Sequence, residues 1–232
     1  MRISSIVVAP AAILAFVALA ASPGSVRAVR FDELVRDDFF AGFAGDRARL
    51  DQGMRIAEQA LAVNPDHAPA LVWHGAGLIS NSRAAFQAGD AALALALIER
   101  GLAEMDRAVR LAPDDIAVLI PRGATLLRLS EVPAFAARAP GWVDAALANY
   151  RHALALEGPR FSERPEHARG ELLAGIAEGL DRLGRTAESR DYLRRIVTDV
   201  PNSEYSRSAR AWLSSAAGGA RPRLTCVGCH ME

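Results

Sequence analysis

The residues best suited to chemistry in this sequence are Cys226, Cys229 and His230, which stand as Cys-Val-Gly-Cys-His and include both cysteines of the chain. Two thiols with two residues between them, followed at once by an imidazole, is the spacing at which a chain attaches haem covalently. The sulfurs reach two vinyl groups on one porphyrin edge and form thioethers, while the adjacent imidazole is held under the iron as an axial ligand. Val227-Gly228 is small enough to leave that edge uncrowded. On this reading Cys226, Cys229 and His230 bind the cofactor, haem c, and His230 is the metal ligand. The same atoms allow two other outcomes. In an oxidising compartment the thiols can pair as a disulfide or exchange as a dithiol. With zinc they supply three of the four ligands a structural site takes, leaving one for a second chain. Little sequence follows the motif to wrap a porphyrin, and Met231 is too close to His230 to reach the opposite face of the iron. A sixth ligand would then come from His74, His152 or His167, from a partner, or from water.

Covalent haem attachment requires export, and the opposite end of the sequence carries the matching signal. Met1-Arg2 is a small positive start, Ile6 to Ala21 is apolar, and small residues follow, with Val26-Arg27-Ala28 or Ala18-Leu19-Ala20 as cleavage sites. The apolar run is shorter than the ~20 residues of a spanning helix and Pro10 interrupts it. The expectation is a signal peptide over residues 1–28, removed to leave a periplasmic or secreted chain without a stable membrane span. No cysteine stands near the cleavage region to take a lipid.

Basic and acidic residues number 27 each, so the formal charge is zero. A nucleic-acid partner would need a basic stripe to neutralise phosphates, and the arginines here are scattered among acids. No phosphate-cradling glycine loop, His-Glu-x-x-His or nucleophile elbow is present. The body of the chain therefore reads as a non-enzymatic scaffold. Alanine and leucine dominate it, and both favour helix.

The scaffold repeats. Three segments close an amphipathic helix with a proline, at Pro65, Pro113 and Pro201, and Gly158-Pro159 plays the same part in a fourth. Proline blocks continuation, and Asp, Asn or Ser nearby is expected to cap the next helix. Before Pro65 come Gly53, Ala57 and Ala60; before Pro113, in the same slots, come Gly101, Met105 and Ala108. After the two prolines the pattern large, small, large recurs as Leu71, Gly75, Leu78 and as Leu119, Gly123, Leu126. The segment from Gly170 to Pro201 turns at Leu183-Gly184-Arg185.

These residues resemble the tetratricopeptide repeat family over roughly residues 31–213. The resemblance implies an all-α fold, a TPR-like helix-turn-helix solenoid of about four degenerate repeats. The first helix would start at Phe31, and a cap helix would run from Ser203 to Leu213. The remainder, residues 214–232, reads as a flexible tail carrying the cysteines, because Gly218-Gly219 and Pro222 break any helix. Two repeats exceed the ~34-residue period, with extra residues around Ser82–Leu97 and Ser130–Trp142, so either the helices are long or an element is inserted. Pro121 is expected to kink its helix or delay its start.

The family holds proteins or peptides in a concave groove lined by first helices. The resemblance places Val72, Ala76, Ile79, Ile120, Ala124 and Leu127 there, with Glu171, Glu178, Asp181 and Arg182 as a charged end. Such a groove suits an extended peptide. Set against that, the inserted residues are expected to fold back over these aliphatics as ordinary core. Trp73 and His74 are neighbours on a helix and cannot share a face. His67, His152 and His167 read as packed or surface residues.

Overall fold

The structure is a computed structural model that describes residues 29–215 and Leu224. Among these residues the chain is helical, with no strand. Nine α-helices follow one another among the described residues: α1 (Phe31–Phe43), α2 (Arg47–Val63), α3 (Ala68–Gln87), α4 (Ala91–Leu111), α5 (Ile116–Leu129), α6 (Ala139–Glu157), α7 (Glu166–Arg182), α8 (Thr186–Asp199) and α9 (Glu204–Ser214). They pack as four hairpins, α1–α2, α3–α4, α5–α6 and α7–α8, with α9 against the last. This is an all-α, repeat-like solenoid, in which each hairpin buries its apolar face against its neighbours.

Local chemistry sets the boundaries. Asp46, Asp90, Asp115 and Ser203 each accept a backbone N–H from the first turn of α2, α4, α5 and α9, supplying partners that helix starts lack. At α3 the cap is neither Asn64 nor Asp66 but His67, whose Nδ1 accepts from Ala70 N at 3.1 Å; α7 starts after Pro165 with no side-chain cap. The two long repeats are long for different reasons. In the second hairpin the extra residues lengthen α3 and α4 to 20 and 21 residues, because the alanine-rich stretch is broken only at Gly89, where φ is +83°. In the third, the extra residues form a 3-10 turn at Pro133–Phe135 that buries Phe135 edge-on to Trp142, 5.6 Å between ring centres. Pro121 does not delay its helix: α5 runs from Ile116 through it.

Helices cross most closely where glycines meet. A methyl group on Gly75 would lie 2.6 Å from the Gly101 carbonyl oxygen, and one on Gly101 would lie 2.5 Å from that of Gly75. Further along, the fully buried Tyr150 of α6 lies between Gly123 of α5 and Gly175 of α7. An ion cluster joins the third hairpin to the fourth. Arg182 donates to Leu127 O, to Ser130 Oγ at 2.7 Å, to Glu131 at 2.6 Å and to Glu178.

The end of the stack is covered. The α9 residues Tyr205, Ala209 and Trp212 close over Leu173, Leu193 and Ile196 of α7 and α8. Leu224, 3% exposed, joins the same cluster. Leu224 follows the connector expected to be flexible and stands two residues before the first cysteine. No helix among the described residues is long and apolar enough to cross a membrane.

Candidate functional site

Successive hairpins place α1, α3, α5 and α7 side by side and pointing the same way, and their exposed faces enclose a cavity of about 1130 Å³. The four helices contribute matching stripes at helical spacing. In α3 the stripe is Trp73, Ala76, Ile79, Arg83 and Phe86; in α5 it is Ile116, Ile120, Ala124 and Arg128. Phe40 and Phe43 of α1 form one wall, and Ala168, Glu171 and Leu172 of α7 the other.

Four of the aliphatics expected in the groove, Ala76, Ile79, Ile120 and Ala124, line it, while Val72 and Leu127 are fully buried between helices. Of the expected charged end, Glu171 lines the cavity. Glu178 is 4% exposed beneath Arg182, and Asp181 and Arg182 lie off the cavity wall, Arg182 being drawn toward the end of α5. The inserted residues do not fold over the groove as core. Ile79, Ile120 and Ala124 stay partly exposed, and the insertions build the far wall instead, with Ser82, Arg83, Phe86 and Phe135.

Trp73 and His74 do point apart. Trp73 lines the cavity and packs against Phe39 and Phe40, 5.3 and 5.8 Å between ring centres. His74 is 3% exposed, with Nδ1 2.5 Å from Glu104 Oε2 and Nε2 3.8 Å from Glu58 Oε1. Burial pushes the Glu104 carboxyl up, but hydrogen bonds and charge from His74 and Arg100 outweigh it and hold the group below its ordinary value. His74 thus ties α3 to α4. His152 is half-exposed with Nε2 2.7 Å from Asp114 Oδ1. His167 stands on the cavity rim, edge-on to Tyr205 at 5.6 Å and 4.0 Å from Glu171.

Charge collects at the end of the groove where the four lining helices begin. Asp32 is nearly buried between Arg30, at 2.9 Å, and Arg36. Arg36 also acts across the groove on Glu171 of α7. Burial raises the Glu171 carboxyl to about 7 from an ordinary value of 4.5, and Arg36 offsets only part of that rise. The folded chain therefore holds this proton more tightly than the unfolded one. The stability that this group contributes is full below about pH 4.5 and is lost as pH rises toward 7; its complete loss is about 3 kcal/mol at ~1.4 kcal/mol per unit. Glu171→Gln should raise the urea midpoint at pH 8 and leave it nearly unchanged at pH 4.5, and equal shifts at both pH values would contradict the assignment.

Cys226, Cys229 and His230 lie outside the described residues, as does the signal segment 1–28. The described residues themselves hold no cluster of three or more His, Cys, Asp or Glu side chains placed to bind a metal. Sequence reasoning missed Trp73, Phe40, Phe161, Arg83 and Arg169 as lining residues; the three-to-four spacing of Trp73 and Arg83 from Ala76 and Ile79 was the available signal. Compared with family models, curated proteins and solved structures, the chain matches none.

Proposed function

We propose that this chain is an exported, non-enzymatic scaffold of the tetratricopeptide-repeat kind that receives protein or peptide partners on its concave side and carries one covalently attached haem at its C-terminal end. The observation that carries the haem is the run Cys226-Val227-Gly228-Cys229-His230. Cys226 and Cys229 form the thioethers, and His230 takes the iron. The donor set suits the group, because two thiols and an imidazole are its complete attachment chemistry. The haem supplies electron transfer when bound. The scaffold's part is to hold it near a partner's redox centre or within an assembly.

Expression with export and cytochrome c maturation machinery tests this. The expected product has a Soret band and a mass gain of one haem that survives denaturation. The double variant Cys226→Ala, Cys229→Ala should lose all colour while keeping its full helical circular dichroism. A colourless wild-type product under those conditions, with free or paired thiols, would leave a scaffold without haem.

A further inference from the structure

The groove carries its charges toward its two ends. Arg30, Asp32 and Arg164 stand where the lining helices begin, and Arg83 and Arg128 near where they finish. Between them the wall is Ala76, Ile79, Ile98, Ile120 and Ala124. Ile79, Ile120 and Ala124 are half-buried and Phe86 is 41% exposed, so apolar surface there still faces water. From Trp73 to Phe86 the groove follows α3 for thirteen residue steps, about 20 Å of helix. The chain reaches α1 at one end of this groove: Arg30 lines it, and Val29 before it is 62% exposed. Residues 1–28 are therefore tethered at the groove's mouth. Between Arg2 and Arg27 their sequence has no charged residue, and from Ala11 to Ala21 every residue is apolar.

We infer that in the uncleaved chain the groove is occupied by residues 11–21, as a helix antiparallel to α1, α3, α5 and α7, and that removal of the segment opens the concave side. The lengths agree. Residues 11–21 as a helix span about 16 Å, inside the ~20 Å of the groove, and Pro10 suits the first turn of such a helix. A helix also satisfies its own backbone groups, which the aliphatic wall cannot do for an extended peptide. Residues 22–29, with Pro23 and Gly24 among them, reach at most about 26 Å, enough to turn back from Arg30 into the groove. The charges agree as well, since an uncharged run lies along the uncharged middle and Arg27 stays at the charged mouth. Tethering singles this segment out among apolar helices, because a short linker holds it at roughly millimolar effective concentration. The inference goes beyond the scaffold reading. Only the removal step rests on export, and nothing in it rests on haem.

The test uses the full chain, expressed without export so that the segment is retained, with p-benzoylphenylalanine in place of Phe16. Light and heavy isotope forms are mixed, irradiated, digested and mapped by mass spectrometry. The expected result is a cross-link within one chain to the α3 or α5 stripe that includes Ala76, Ile79, Ile120 and Ala124. Ala124→Glu should lower its yield about tenfold or more, because an apolar helix cannot solvate the new carboxylate. Leu95→Glu, on an exposed face of α4, should leave the yield unchanged. Circular dichroism checks that each variant is folded, and should Ala124→Glu lose its helical signal, Ala124→Gln takes its place. No cross-link, links to residues outside the groove or to the C-terminal residues, links only between light and heavy chains, or an equal yield in the Ala124 variant would each overturn the inference. The colour of the exported product decides the haem separately.

Discussion

Gly101→Val is expected to destabilise the chain by about 3 kcal/mol or more, at the upper end for a side chain forced into a packed contact. The added Cβ alone would lie 2.5 Å from the carbonyl oxygen of Gly75 and 2.8 Å from Ile79 Cγ1. The first obstacle is backbone, so α3 and α4 must move apart along a crossing that also seats Met105 and Ala108. Alanine tests the steric cause separately. In an exposed helix Gly→Ala gains about 1 kcal/mol, so a loss for Gly101→Ala would show the clash exceeding the gain in propensity. The measurement is the urea midpoint, followed by circular dichroism. An unchanged midpoint for both variants would mean that the two helices do not approach this closely.

Tyr150→Ala should cost about 3–5 kcal/mol, the usual range for removing a buried aromatic side chain. The ring fills the space between Gly123 of its own hairpin and Gly175 of the next, and is fully buried. Removing it opens a cavity that spans three helices at the centre of the stack. Because repeat arrays need not unfold in one step, the loss should also uncouple the two halves, giving a broader transition or two transitions where the wild type gives one. Tyr150→Phe keeps the ring and should lose far less. Equal losses for the two variants would shift the explanation from the ring to the hydroxyl.

The hairpins were legible because punctuation and small residues recur. Pro65, Pro113, Gly158-Pro159 and Pro201 each fall just after α2, α4, α6 and α8, and Gly75 and Gly101, read as small positions on facing helices, touch. What misled was rotation about a helix axis. Residues are about 100° apart on a helix, so assigning Val72 and Leu127 to the groove instead of Trp73 and Arg128 is an error of one residue. Sequence spacing alone does not say how far each hairpin turns on the last. Glu178 and Arg182 failed for another reason. They were expected at the charged end of the groove, yet the acceptors that draw Arg182 inward, Leu127 O and Ser130 Oγ, are over fifty residues away in sequence. The pairing of His74 with Glu104, thirty residues apart, was hidden in the same way. The catalogue of cysteine chemistry needed no fold at all, since the spacing from Cys226 to His230 is local.

The seal that α9 and Leu224 form over the last hairpin has a bearing on how these molecules meet one another. Every interior hairpin shows a sticky flank to the next, and an identical flank left bare at the finish would welcome the front of another molecule. Such head-to-tail addition closes into a ring or grows into filaments. Trp212 and Leu224, laid over Leu173 and Ile196, cover that flank, the place a chain terminator would take in the polymer chemist's sense.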